Sequence, residues 1–253
     1  VSTPFHIIIP ARYGASRLPG KPLLDVAGRP LLQWVWDCAR ASGALSVIVA
    51  TDDARVRSAA TGFGADVAMT SVEHGSGTDR IAEVVRARGL APEATVINLQ
   101  GDEPLMPPAV PGRVAAALVE HPECGIATAA APILSLAEFH DPSCVKVLRS
   151  LRGEALYFSR ACVPWPRDAA IAGRPSDFSR AFRHIGIYAY RVKSLLEFAG
   201  WPPTPLETTE KLEQLRALEH GMRIHVVALQ EAPPAGVDTP EDLEAVRARL
   251  RAR

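Results

Sequence analysis

The chain has no surplus of charge, no paired cysteines and no long apolar run, and each absence removes a class of protein. Its 28 basic and 28 acidic residues cancel. Nucleic acid and anionic membrane surfaces, which reward a strong positive balance, are therefore not the expected partners. Its four tryptophans and four tyrosines are not interleaved with basic residues, as a nucleic-acid stacking surface requires. Cys38, Cys124, Cys144 and Cys162 form no C-x-x-C pair and no Cys/His metal spacing. Scattered thiols of this kind read as small buried residues of a reducing compartment. The run Val114-Ala115-Ala116-Ala117-Leu118-Val119 is too short to span a bilayer, and no charged stretch followed by an apolar core opens the chain at Val1. The expectation is a soluble cytoplasmic protein without a membrane partner. No G-x-S-x-G elbow and no cysteine with a motif-placed histidine points to nucleophilic catalysis. Internal repeats and low-complexity tails are missing too.

What is present is rhythm. Apolar, β-branched runs predict strands over 5–10, 46–51, 66–69, 95–100 and 125–132, and 3.6-residue periodicity between them predicts helices over 30–42, 54–62, 78–88 and 108–120. In the first helix Leu31, Leu32, Val35 and Cys38/Ala39 share one face. Alternating strands and helices build βαβ units, hence an α/β fold with a mainly parallel central sheet flanked by helices.

The rhythm breaks after Pro132. Segments 144–148 and 154–158 flank Arg152-Gly153 as in a hairpin, a proline- and glycine-rich loop covers 164–178, and 184–190 returns as a strand. A helix over 206–220 and a strand over 223–229 follow. A final helix is capped by Thr239-Pro240-Glu241-Asp242. The expectation is a single domain over 1–253, with 133–206 an inserted, β-containing sugar-binding or dimerisation section.

The most informative segment follows the first strand: Pro10-Ala11-Arg12-Tyr13-Gly14-Ala15-Ser16-Arg17-Leu18-Pro19-Gly20-Lys21-Pro22-Leu23. Three cations stand among two glycines with no acid inside. Glycines let backbone N–H groups approach an oxyanion, and fixed cations hold the phosphate charge. The end of a strand in an open α/β sheet is also where such folds bind ligands. This is not a Walker A loop: five residues separate Gly14 from Gly20-Lys21, and Pro22 stands where magnesium would need Ser or Thr. The reading is a nucleoside triphosphate site, against the plainer alternative of a solvated basic loop.

Acids stand at matching places. Gln100-Gly101-Asp102-Glu103-Pro104 closes the fourth strand, and Asp238 precedes the last helix. Either alone is an ordinary turn acid. With the basic loop they make a metal–triphosphate site, because magnesium takes few protein carboxylates and completes its shell with substrate oxygens and water. His74-Gly75-Ser76-Gly77-Thr78-Asp79-Arg80 opens a helix whose free N–H groups suit an anion or a polar base edge, or simply start a helix. Period two puts His184 and Tyr188 on one strand face and Ile185 and Ile187 on the other. Glu213 and Gln214 flank a stripe of Leu212, Leu215 and Leu218.

Taken in order over nearly the whole chain, these segments resemble the 3-deoxy-manno-octulosonate cytidylyltransferase (CMP-Kdo synthetase) family. The matching pieces are Ile9-Pro10-Ala11-Arg12, Arg17-Leu18-Pro19-Gly20-Lys21-Pro22-Leu23, Val49-Ala50-Thr51-Asp52, and His74 with Ser76-Gly77-Thr78. They continue with Gln100-Gly101-Asp102-Glu103-Pro104, Ala155-Leu156-Tyr157-Phe158-Ser159-Arg160 and His184-Ile185-Gly186-Ile187-Tyr188. Leu212-Glu213-Gln214-Leu215-Arg216 and Gly236-Val237-Asp238-Thr239-Pro240-Glu241-Asp242-Leu243 complete the set.

The resemblance implies a Rossmann-like nucleotidyltransferase fold, a homodimer, Mg2+ as cofactor, and CTP and Kdo as substrates for lipopolysaccharide assembly. It assigns Arg12, Lys21, Asp102 and Asp238 to catalysis, the two aspartates as metal ligands. Ala11, Arg12, Lys21, Ser76, Gly77 and Gln100 fall to CTP, and Arg80, Gln100, His184, Tyr188, Glu213 and Gln214 to the sugar acid. No side chain is singled out as a general base. Two rivals remain: transfer to another sugar acid, such as 8-amino-Kdo or a sialic acid, and a non-catalytic nucleotide-sugar binding module. The basic loop alone also fits the sialic-acid enzymes.

Overall fold

The computed structural model describes residues 3–14, 18–171 and 178–251. Strands β1 (His6–Pro10), β4 (Ser46–Thr51), β5 (Asp66–Met69) and β6 (Thr95–Asn98) alternate with helices α1 (Leu31–Ala41), α2 (Ala54–Gly62) and α3 (Gly77–Ala87). A small hairpin, β2 (Asp25–Val26) and β3 (Arg29–Pro30), precedes α1. Then come α4 (Ala109–Glu120), β7 (Ile126–Pro132), α5 (Leu136–His140), β8 (Lys146–Arg149), β9 (Ala155–Ser159) and α6 (Arg167–Ile171). The chain ends with β10 (Phe182–Arg191), α7 (Val192–Gly200), α8 (Pro205–Glu210), α9 (Gln214–Glu219), β11 (Ile224–Ala228) and α10 (Pro240–Arg251).

The main sheet runs β11-β7-β10-β6-β1-β4-β5, with β8 attached to the start of β10 and β9 to β8. Every neighbouring pair along that path is parallel except those made by β10, which lies antiparallel to both β6 and β7. The mainly parallel α/β sheet read from the sequence is therefore present. The alternation along β1 shows how it is covered: Ile7 and Ile9 join one core with α1 and α4, and Ile8 joins the other with α3 and α7. A strand buried on both faces needs this unbroken apolar run.

Three expectations change. The helix predicted over 206–220 is two short helices, because Lys211 takes a left-handed conformation (φ 55°, ψ 47°) that ends α8. The leucine stripe masked that break, since residues on both sides keep helical spacing. Within the expected insertion over 133–206, β10 is a central strand of the main sheet, and only β8 and β9 stand off it. The helix α7 was missed, as was α5. Within the loop expected over 164–178, residues 172–177 lie outside the described residues. No helix among the described residues is long and apolar enough to cross a membrane.

Candidate active site

Strands β1 and β6 are parallel neighbours, with Ile8 opposite Asn98, so the segments that follow them leave the same edge of the sheet. Gly101 permits the closest approach: a Cβ there would stand 2.9 Å from the Pro10 carbonyl oxygen. The Ala11 N–H donates to the Ala50 carbonyl (2.9 Å), which fixes the loop's departure, and the Gly20 N–H donates to the Tyr13 carbonyl (3.0 Å), which fixes its return. Gly20 holds φ at 70°, a region L side chains avoid, and a 3₁₀ turn over Lys21–Leu23 then presents the lysine. The segment before α10 is stitched to the same place, because the Val237 N–H donates to the Asp102 carbonyl (2.9 Å).

Backbone geometry thus makes three distant pieces of sequence share a charge cluster. Lys21 Nζ donates to Asp102 Oδ2 (2.6 Å) and Asp238 Oδ1 (3.1 Å). Burial opposes the ammonium charge, but attraction to Asp102 and Asp238 outweighs it and raises the lysine pKa. Next to them Glu103 is pushed up to about 7, first by burial and then by the charge of Asp102. Arg12 is exposed and has no acid partner among the described residues. Arg17 lies outside the described residues.

A cavity of about 230 Å³ opens beside this cluster, walled by Ala11, Arg12, Lys21, Gln100 and Asp102, with Gly75-Ser76-Gly77 opposite. The Gly77 wall is tight, since a Cβ there would meet the Pro10 ring at 3.3 Å. Ser76 caps α3: its hydroxyl accepts from the Asp79 N–H and the Asp79 carboxylate accepts from the Ser76 N–H. This capping box occupies two of the N–H groups that the sequence left free for an anion. Arg80 also lines this cavity. Its guanidinium is fully buried and donates to Asp52 Oδ2 (2.6 Å) and to the Thr70 hydroxyl, while its Nε has no partner.

A second cavity, about 450 Å³, shares the Gly75-Ser76 wall and extends toward α8 and α9. Glu213 lines it, with Oε2 accepting from the Thr78 hydroxyl (2.9 Å) and Oε1 buried without a partner. Burial raises the pKa of this carboxyl despite its hydroxyl donors. Gln214 is buried at the start of α9.

His184 and Tyr188 share a strand face, ring centroids 5.4 Å apart, as period two predicts, but neither is among the described residues lining these two cavities. The Thr128 hydroxyl donates to the Ile187 carbonyl (2.8 Å). Having one proton, it then accepts from His184 Nε2–H at 3.0 Å, which fixes the neutral tautomer. Burial pushes the imidazole pKa down to about 3.

The fold therefore brings Ala11, Arg12, Lys21, Ser76, Gly77, Arg80, Gln100 and Asp102 around one cavity, with Asp238 joined through Lys21. Glu213 faces the adjoining space, and His184, Tyr188 and Gln214 do not reach either lining. Sequence reasoning passed over Glu103, Asp52 and Thr78. All three sit inside quoted motifs, but only the partners supplied by folding single them out. Elsewhere Glu123, Cys124 and Glu154 place one ligand atom each within 4.8 Å of one another. Burial and then Glu123 push the Cys124 thiol up to about 11.

Comparison with known proteins gives a consistent result. A family model described as cytidylyltransferase matches residues 6–224. The 3-deoxy-manno-octulosonate cytidylyltransferase of Pseudomonas syringae pv. tomato is 56% identical over 251 residues, 98% of each chain. The enzyme of the same name from Halorhodospira halophila is 54% identical, covering 99% of each. Among solved structures, CMP:2-keto-3-deoxy-manno-octonic acid synthetase complexed with CTP superposes with a TM-score of 0.89 at 42% identity, over 98% of this chain and 99% of that one. A Leptospira borgpetersenii cytidylyltransferase shares the fold at 15% identity, with a TM-score of 0.61 over 98% of this chain and 87% of that one.

Proposed function

Since the chain belongs to the cytidylyltransferase family, we propose that it couples CTP with 3-deoxy-D-manno-octulosonate (Kdo) to give CMP-Kdo and pyrophosphate. The observation that carries this reading is the meeting of Lys21, Asp102 and Asp238 at the rim of the cavity lined by Arg12 and Gly75-Ser76-Gly77. In the reaction, the anomeric hydroxyl oxygen of Kdo bonds to the α-phosphorus of CTP. The bond from that phosphorus to the bridging oxygen breaks in line, and pyrophosphate leaves with the electron pair.

Both substrates are anions, so the protein must offset their repulsion. Arg12, without an internal acid partner among the described residues, is free to bind a phosphate oxygen. Lys21 is held at the cavity wall by its two carboxylates and supplies a second, oriented cation. Gly75-Ser76-Gly77 and Ala11 offer backbone and hydroxyl groups to the base and ribose. Discrimination against uracil or a purine would follow from buried polar groups left unpaired.

Asp102 and Asp238 suit magnesium. They are hard oxygen donors, and both already converge on one positive charge, the Lys21 ammonium. When bound, Mg2+ would neutralise triphosphate charge and ease departure of pyrophosphate. Glu213 and the neutral His184 would serve the sugar side, with Tyr188, Gln100, Gln214 and Arg80. A homodimer is part of the same reading: Leu134, Leu156, Trp165 and Ile171, all in the irregular middle of the chain, are between 62% and 76% exposed, apolar side chains that a second copy would cover. The product would be an activated sugar for lipopolysaccharide assembly in the cytoplasm.

Pyrophosphate release from CTP with a panel of sugar acids tests the proposal. Turnover should be fastest with Kdo and depend on magnesium. CTP binding without turnover would instead mark a binding module, and preference for 8-amino-Kdo or a sialic acid would reassign the acceptor.

A further inference from the structure

The segment that walls the nucleotide cavity opposite Lys21 has no apolar anchor of its own. After Thr70, whose N–H still donates to the Thr51 carbonyl (2.9 Å), the chain leaves the sheet and runs as Ser71-Val72-Glu73-His74-Gly75-Ser76 to the start of α3. Val72 is its one large apolar residue and is 70% exposed. A stretch without buried apolar contacts stays in one place only if polar contacts hold it.

Three such anchors lie on one face of α3. Asp79, Arg80 and Glu83 stand three and four residues apart, so they share a side of the helix. Asp79 takes the Ser76 N–H in the capping box, and Arg80 donates to the Thr70 hydroxyl. Glu83 makes two contacts with a single oxygen: its Oε2 accepts from the Ser71 N–H (2.9 Å) and from His74 Nε2 (2.5 Å). A carboxylate oxygen only accepts, so Nε2 carries the imidazole proton. The Ser71 N–H and then His74 hold the Glu83 carboxyl below its usual range, hence ionised. One oxygen thus ties Ser71, where the stretch leaves the sheet, to His74, next to the cavity wall. Neither His74 nor Glu83 is among the described residues lining the two cavities, so any effect on a ligand passes through Gly75-Ser76.

We propose that Glu83 and His74 form a latch that holds the Gly75-Ser76 wall against the nucleotide, which makes both of them positioning residues for CTP. This rests on the reading that the cavity takes CTP. Without the latch the stretch would divide its time between the seated wall and withdrawn positions. Affinity for CTP would then fall by the fraction of time the wall is seated. With CTP bound the wall is back in place, so the chemical step is spared.

Calorimetric titration with CTP and magnesium, together with steady-state pyrophosphate release, tests this on His74→Ala, His74→Gln, Glu83→Ala and the double alanine variant. Both side chains are partly exposed, so each variant should keep a Tm within about 4 °C of wild type. His74→Ala should raise Kd and KM for CTP about tenfold and leave kcat within about threefold. Glutamine places an N–H near the position of Nε2, so His74→Gln should bind CTP within about threefold of wild type. Glu83→Ala should lose at least as much affinity as His74→Ala. The double variant should lose no more than Glu83→Ala alone, because the two side chains act through one contact. Additive losses overturn the proposal, as do equal losses in the alanine and glutamine variants or a loss confined to kcat. So does CTP affinity within about twofold of wild type in His74→Ala. A wild-type protein that does not bind CTP removes the functional reading itself, and this inference with it.

Discussion

Lys21 illustrates how one side chain gains meaning from its surroundings. Alone it is one cation of a basic loop; folded, it joins Asp102 and Asp238, which lie far from it in sequence. Asp102→Asn should therefore fold with a near-native Tm and lose at least about a hundredfold in pyrophosphate release, as removal of a group that organises transition-state charge does. Turnover close to wild type would take Asp102 out of the site. His184 gives a second prediction, in pH. Its pKa falls from 6.5 to about 3 on folding, so the unfolded chain binds more protons between those values. The stability it contributes is full above pH 6.5 and is lost as pH falls toward 3. Urea unfolding should show wild type losing about 1 kcal/mol per pH unit more than His184→Asn between about pH 6 and pH 4. Parallel slopes would mean the imidazole is not held neutral.

At the scale of elements, the junction of β1 and β6 decides whether the loop and the acids can meet. Gly101 is the contact point, because any Cβ would press on the Pro10 carbonyl, which is backbone and cannot rotate away. Gly101→Ala should cost about 1–3 kcal/mol by overpacking. It should also lower kcat tenfold or more, since small displacements of positioning groups are felt strongly in the rate. Denaturation and turnover of the same variant check both, and an unchanged kcat would show that the two strand ends have room to part. The split between α8 and α9 matters in the same way. A continuous helix over 206–220 would carry Lys211 and Glu213 on a regular spiral, whereas the left-handed stop sets them on the wall of one cavity.

For the whole molecule, ligand and assembly are the measurable quantities. CTP should raise Tm only when a divalent cation is present, because the triphosphate and the two carboxylates otherwise repel each other. An equal shift in excess chelator would argue against a metal-dependent site. Light scattering should give twice the chain mass for wild type, and Leu156→Asp with Trp165→Ser should shift it toward the monomer. A monomeric wild type at micromolar concentration would leave that exposed apolar surface without its proposed partner.

Local pattern was enough for most of the architecture. Strand and helix periods placed β4, β5 and α2 at their observed limits and the other early elements within one or two residues, because buried strands and amphipathic helices write their packing into their own spacing. Pattern could not announce the break at Lys211, next to a Glu210 held by Ser159 at the end of β9 and by Arg160 just beyond it, nor that β10 enters the middle of the main sheet. For the site, residue types and their place at strand ends named the loop and the two acids that folding brings together. Which groups pair was settled by tertiary structure alone: Arg80 with Asp52, Glu213 with Thr78, Lys21 with both aspartates. A sequence fixes what each side chain can do, but pairing depends on distance through space, and that exists only once the sheet has ordered its strands.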